Sequence, residues 1–563
     1  MTLRRLAILL LLLAVSHRAA ASDAPAPAAP GPALTIAAAD TGFPISPHIY
    51  GINFADPALV AELGLGLVRW GGNATTRYNW QLDTSNRASD WFFENIPNDV
   101  PVSQLPESST ANGFVSDSRG AGADVIMTMP LIGWTPKDRT YAGCSFRVSV
   151  YGAQQSTDPW APDCGNGRRP DGSLITGNNP NDASTPIDES FVTAWVNHLS
   201  SLHGSAAQGG VRFYSLDNEP MLWNSTHRDV YPAPASYDEL RNRTLQYAAA
   251  IKGADPTAQT LGPVVWGWTA YFYSALDVAA GGAWWQNPLD RNAHGGTPFI
   301  PWYLQQMAAY EQQHGSRLLD YLDLHYYPQA PGVTLSNDTS SSTQALRLRS
   351  TRALWDPTYV DESWIGEPVR LLPRMREWVD QNYPGTRLAL TEYNWGAFGH
   401  INGALAQADV LGIFGREGLD LATLWVQPDS EDPVAYAFRM YRNYNGAGGR
   451  FGELSVHAAS GDQGALAIYA ARRGQDGALT VMIINKTGSS LSSAVALDGF
   501  SPGGSAEVYR YSAANPNSIV QLANLGVAAS GFSATFTANS ITLLVLPPGS
   551  PPHKHFLPAT GRS

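Results

Sequence analysis

Two glutamates, each at the end of an apolar run, are the residues whose type and placement point most directly to chemistry. VRFYSLDNEP (211–220) carries Glu219 just before Pro220, and RLALTEYNWG (387–396) carries Glu392 in a matching position. Proline cannot continue a central strand, so Pro220 marks where a buried strand meets a loop. One carboxylate there is as readily a solubilising surface charge, whereas two at the open end of one sheet suit acid/base work. Cleaving a glycosidic bond needs such a pair: a carboxylic acid to protonate the departing oxygen, and a carboxylate to attack or support the oxocarbenium-like carbon. Across a barrel mouth the two carboxyls would stand about 5–5.5 Å apart, the spacing of double displacement. Like charges that close raise one of the two pKa values and keep one group protonated.

Other strand ends supply supporting groups. Asn218 adjoins Glu219 and suits a hydrogen bond to the sugar 2-hydroxyl, while Arg69 in VRWGGN suits a charge-assisted bond that keeps Glu392 ionised. Asn73 closes the same motif as a further polar support. In LHYYP, His325 and Tyr327 are two apart and point the same way from a strand; Tyr327 is placed to donate to Glu392. A histidine alone would read as a hydrogen-bonded core residue. Trp425, ending the run LDLATLWVQP, is a candidate floor for the reacting sugar, which Trp70, Trp80, Trp134, Trp266 and Trp395 extend, several of them as ordinary core.

The elements that must position these groups are eight short apolar runs: HIYGINFA (from His48), GLGLVRWGGN (Gly64), DVIMTMPLIGW (Asp124), VRFYSLDNEP, QTLGPVVWGW (Gln259), LDYLDLHYYP (Leu319), RLALTEYNWG and LDLATLWVQP (Leu419). Helical periodicity over 190–203, 236–252, 301–313, 371–382 and 404–417 separates the later ones. Strands alternating with helices predict an α/β fold, a parallel (β/α)8 TIM barrel. After Pro433, short alternating runs such as ALAIYAARR and LTVMIINKT predict an additional antiparallel β-sandwich domain, which a strand at 34–39 would rejoin. The expected division is a signal peptide (1–21), an Ala/Pro-rich spacer (22–33), an N-terminal strand segment (34–47), the catalytic barrel (48–433), the sandwich (434–548) and a disordered tail (549–563). The long Asp/Asn/Gly/Pro-rich insertion 144–186 belongs with the catalytic-face loops.

A chain of 563 residues exceeds one barrel of about 250 residues and leaves room for a second domain. The 17 Trp and 24 Tyr exceed what core packing requires and suggest a stacking surface. A formal charge of −12 repels phosphate backbones and anionic lipid, which argues against nucleic-acid and membrane partners. Arg4-Arg5, the apolar run from Leu6 to Val15 and Ala19-Ala20-Ala21 have the form of a secretory leader, so a secreted, extracellular protein is expected. Cys144 and Cys164, the only cysteines, are expected to pair in that oxidising setting.

RWGGNATTRYNW (69–80), YSLDNEPMLW (214–223), DLHYYP (323–328) and LTEYNWG (390–396) resemble glycoside hydrolase family 44, bacterial endo-β-1,4-glucanases and xyloglucanases. The resemblance runs over 34–547. It implies a barrel with an attached β-sandwich and a retaining mechanism, with Glu219 matching the acid/base and Glu392 the nucleophile. It also suggests a structural calcium ion. Asp158, Asp163, Asp171 and Asp182 in the insertion are oxygen ligands of a suitable kind, among which nothing chooses, so the metal ligands stay unknown. No cofactor is needed for the chemistry. The implied partner is a plant cell-wall polysaccharide, β-glucan or xyloglucan, acted on by a monomer. A xylanase or mannanase would share the scaffold. A non-catalytic glucan-binding protein would have no need of two strand-end glutamates together with Arg69, His325 and Tyr327.

Overall fold

The computed structural model describes residues 28–549; the expected leader, the start of the spacer and nearly all of the tail lie outside them. Eight parallel strands close into a barrel in chain order: Gly51–Asn53, Leu67–Trp70, Asp124–Met129, Phe213–Leu216, Gln259–Val265, Tyr321–Tyr326, Arg387–Tyr393 and Leu421–Leu424. Each lies within one of the eight apolar runs, as strands buried on both faces must.

The barrel interior is layered. Leu67, Ile126, Phe213, Leu261, Tyr321, Ala389 and Leu421, one from each of strands two to eight, form an apolar plug. Two residues further along the same strands stand Arg69, Thr128, Ser215, Pro263, Asp323, Thr391 and Thr423, all buried and all but the proline polar. Side chains two apart on a strand share a face, so the interior changes from apolar to polar toward the strand C-termini, where barrel active sites form.

The helices form as their periodicity predicts. Glu189–His203 starts on Asp188, whose side chain accepts from Ser190 N, and buries Val192, Trp195, Val196 and Leu199 along one stripe. Tyr237–Ala254, Phe299–His314, Leu371–Asn382 and Ile401–Glu417 follow in the expected places. Pro433–Arg442 is an amphipathic helix packed on the barrel, and the all-β region begins only at Leu454. The boundary expected at 433 is therefore too early: Pro433 is the first-turn proline of a helix, not a breaker opening the sandwich.

The second region is a ten-stranded sheet wrapped around its own apolar core, which includes Leu34, Ile36, Val456, Ile468, Val481, Val495 and Leu544. The strand Leu34–Pro44 joins it, antiparallel to Leu454–Ser460 but parallel to Leu491–Asp498, so the sheet is antiparallel except at its N-terminal segments. Its other face merges with the barrel core. A buried ion pair ties the two regions: Lys486 Nζ lies 2.6 Å from Asp409 Oδ2 on the helix Ile401–Glu417, Tyr469 donates to Oδ1 at 2.7 Å, and Thr351 donates to Oδ2 at 2.6 Å. No helix among the described residues is long and apolar enough to cross a membrane.

Removing one partner of a buried pair leaves the other charge uncompensated. Asp409→Ala should cost about 3–5 kcal/mol of stability, read as a lowered midpoint in denaturant unfolding.

Candidate active site

Strand register brings the predicted residues together. Asn53 and Arg69 are partners across strands one and two, and His325 and Glu392 across strands six and seven. The register shifts between Leu324 and His325, and between Leu390 and Tyr393, so a bulge brackets Glu392, a device that re-aims side chains at barrel rims. Glu219 sits in the left-handed region at φ 46°, as do Asp217 at 72° and Val264 at 55°. The Val264 carbonyl accepts from Glu219 N at 2.9 Å, and Asp217 accepts from Leu131 N, Ile132 N and Thr76 Oγ1 at 2.6, 3.1 and 2.6 Å. Strain of this kind persists only where the surroundings over-determine it.

The two carboxylates meet as a pair. One oxygen of Glu219, one of Glu392 and a ring nitrogen of His325 lie within 4.8 Å of one another. Glu392 Oε1 accepts from Arg69 Nη1 at 2.7 Å and Oε2 accepts from Tyr327 at 2.7 Å. Arg69 also donates to Asn53 at 3.1 Å and to Asn218 Oδ1 at 2.8 Å; Asn218 in turn donates to Asn73 at 3.2 Å. His325 Nδ1 is 2.9 Å from Glu219 Oε1, and its Nε2 is 3.2 Å from Thr391 Oγ1. Thr391 spends its hydroxyl proton on Asp323 at 2.8 Å, so it accepts from His325 Nε2–H. With Nε2 committed to Thr391, Nδ1 is the ring atom that faces Glu219.

The environments push the pair apart. Burial raises the Glu219 carboxyl, helped by the charge of Glu392 and partly offset by the bond to His325. Burial pushes Glu392 the same way, but His325, Arg69 and the bond from Tyr327 outweigh it and the net shift is downward. One group is thereby kept as acid and the other as carboxylate, the division that acid/base chemistry needs. A cation among the same three ligands would compete with the Arg69 guanidinium already on Glu392.

The glycines of RWGGN serve this packing. A Cβ on Gly71 would fall 2.3 Å from the Arg69 guanidinium carbon, and one on Gly72, at φ 87°, would fall 2.6 Å from the Trp425 ring. Trp425 is thus pressed against the Arg69 turn with part of its ring open. The other tryptophans divide. Trp70 is buried among Phe54, Tyr78 and Phe114, Trp80 is buried against Phe191 and His198, and Trp395 is buried with Nε1 bonded to Ser350. Of the tryptophans expected to extend the sugar floor, several of them as core, Trp70, Trp80 and Trp395 belong to the core. Trp134 lines a separate hollow of 690 Å³ with Tyr231 and Arg243, and Trp266 one of 210 Å³ beside Met221 and Leu222, just past Glu219.

Asn53, Asp323 and Thr391 went unnoticed in the sequence, although Asp323 is two residues before His325 on one strand and shares its face. Among the four aspartates of the insertion, Asp163 accepts from Ser149, Asp171 from Ser173 and Asp182 from Tyr151. Asp158 alone is fully buried, and it lies beside Glu94. Apart from a proton the two acids share, both Glu94 carboxylate oxygens and Asp158 Oδ2 are buried without a hydrogen-bond partner. Burial and Asp158 push Glu94 up to about 8. The Cys144–Cys164 disulfide forms, with Cα atoms 5.7 Å apart.

The model of glycoside hydrolase family 44 matches residues 84–330. Endoglucanase A of Paenibacillus lautus is 32% identical over 465 residues, 78% of this chain and 62% of its own length, so the chain spans less than two thirds of that relative. Among solved structures, CelM2, a bifunctional glucanase-xylanase from a metagenome library, matches with a TM-score of 0.89 at 45% identity, over 92% of this chain and all of that one. A Paenibacillus polymyxa xyloglucanase of glycoside hydrolase family 44, solved with xyloglucan, matches with a TM-score of 0.76 at 28% identity over the same shares.

Arg69→Met should raise the Glu392 pKa, because the guanidinium 2.7 Å away is one of the charges that depress it. The carboxylate then protonates at higher pH, and the acidic limb of the pH–activity profile should move upward.

Proposed function

We propose, because the chain belongs to glycoside hydrolase family 44, that it is a secreted, endo-acting, retaining hydrolase of internal β-1,4-glucosidic bonds in cellulose-type glucans and xyloglucan. The observation that carries this reading is that an oxygen of Glu219 and one of Glu392 lie within 4.8 Å of each other, close enough for the roughly 5–5.5 Å carboxyl spacing of double displacement. The leader-like 1–21 stretch and the disulfide support export.

In the first step Glu219 gives its proton to the glycosidic oxygen as the C–O bond breaks, while Glu392 Oε2 forms a bond to the anomeric carbon. Arg69 and Tyr327 hold that carboxylate in line before attack. Asn218 has one amide proton on Asn73 and a second free to donate to the 2-hydroxyl. In the second step Glu219, now a carboxylate, takes a proton from water, whose oxygen attacks the anomeric carbon and frees Glu392. Trp425 supplies the stacking face beneath the reacting ring.

The glucanase-xylanase described for the 45% identical structure favours xylan as a second substrate, which a polysaccharide panel with sized products would read directly. Glu219→Gln and Glu392→Gln should each lower glucan hydrolysis by at least about a thousandfold without unfolding the chain. Azide should rescue each variant to a glycosyl azide, of opposite anomeric configuration for the two. Wild-type rates in either variant would refute the assignment.

Glu94 and Asp158 fit a structural calcium ion: hard oxygen donors, buried, with unspent lone pairs. The ion would neutralise two adjacent buried carboxylates and clamp the insertion to the barrel loops. Calcium at a hundredfold its Kd should stabilise the wild type by about 2.7 kcal/mol, and Glu94→Gln should largely abolish the Tm rise seen on adding calcium.

A further inference from the structure

The loop closed by Cys144 and Cys164 carries Trp160, which the catalytic reading leaves unused. Trp160 is 72% exposed, and its ring stacks on half-buried Trp91 with centroids 5.6 Å apart and planes 30° apart. A single exposed tryptophan needs no explanation. This one is held in place from below. Its backbone N–H donates to Asp158 Oδ1 at 3.1 Å, and Asp158 N donates to the Cys164 carbonyl at 2.9 Å. Phe93, Phe146 and Ile175 form a small core under the loop, with the Arg228 guanidinium 4.5 Å from the Phe146 ring. Trp91 is flanked by three non-glycine residues in the left-handed region, Ala88, Phe92 and Phe93, at φ 52°, 45° and 52°. Such strain collects at ligand clamps.

The pair is also continuous with the catalytic centre. Asn218 donates to Asn73, Asn73 donates to Asp90 Oδ2 at 3.1 Å, and Asp90 immediately precedes Trp91. The aromatic surface thus begins three side-chain contacts from Arg69, at the mouth of the same barrel end. Pyranose rings of a β-1,4-linked chain present flat C–H faces, and a rigid indole covers such a face at little cost in conformational entropy.

We infer that Trp160 and Trp91 form a remote stacking platform for the polysaccharide, on the strand-two side of the cleft, held in position by the disulfide. The inference rests on the hydrolase reading and adds a subsite to it. Xyloglucan immobilised in a native gel should retard Glu392→Gln protein, and adding Trp160→Ala should weaken that binding roughly two- to tenfold, the worth of one aromatic contact. Trp160→Phe should restore most of it. The double variant Cys144→Ser/Cys164→Ser in the same background should weaken binding in the same direction. Equal retardation with and without the Trp160 ring would overturn the platform while leaving the hydrolase reading intact. Failure of wild-type protein to release reducing sugar from any β-1,4-glucan would instead overturn the reading on which the platform depends.

Discussion

An oxygen of Glu219 and an oxygen of Glu392 are held within 4.8 Å of each other in a largely buried site, and much of the barrel's upper half exists to make that arrangement stable. Buried like charges separate their pKa values or one of them stays neutral. Here the separation is built in: Arg69, fully buried, places its guanidinium on Glu392 and on two asparagine oxygens, while Glu219 faces a histidine whose far nitrogen is already committed to Thr391. An uncompensated guanidinium inside a barrel would be severely destabilising, so the arginine needs the glutamate as much as the glutamate needs the arginine.

That mutual dependence explains the layering of the interior. The apolar plug at Leu67, Phe213 and Leu421 supplies the burial that closes the barrel, and it contributes nothing to the chemistry. One pleat higher the residues become threonine, serine, aspartate and arginine, and these find partners chiefly among themselves and with neighbouring backbone carbonyls: Asn53 donates to the carbonyls of Thr391 and Leu424 at 3.1 Å, and Thr391 is bonded to Asp323. Such a network is stabilising only when its members are satisfied. Arg69 Nε and Thr128 Oγ1 are the places where this one is incomplete.

How much of this was legible follows from what each signal depends on. Strand ends are local events, an apolar run stopped by proline or glycine, and the eight runs, the later helices and the glutamate pair could all be located from them. The partnership of Asp158 with Glu94 depends on a loop and a short strand more than sixty residues apart meeting beside the disulfide, and no spacing rule encodes that. Asn53 is hidden for a related reason: an asparagine ending a three-residue strand carries no local mark of holding an arginine from the next strand. The start of the sandwich was misplaced because a proline at the first turn of a helix and a proline ending a barrel segment look alike until the following residues are seen to be amphipathic.

The tryptophans teach a sharper lesson, because here a rule already in hand would have decided the matter. Successive residues of a strand point to opposite faces. If Arg69 reaches into the barrel, Trp70 must point outward to the helix layer, where it meets Phe114 of the helix Thr110–Gly120. At Glu392 the bulge resets the alternation, since Thr391 and Glu392 both face inward, and Tyr393 then turns outward against Phe414. Trp425, two residues beyond inward-facing Thr423, returns to the mouth of the barrel and packs on the glycines of the Arg69 turn. An aromatic side chain is chemically equal in core and cleft, so composition cannot sort one from the other, but its parity relative to a known inward residue can. Parity has no hold on Trp91 and Trp160, which stand on loops outside the eight strands, and for them exposure and what lies beneath the ring are the informative quantities.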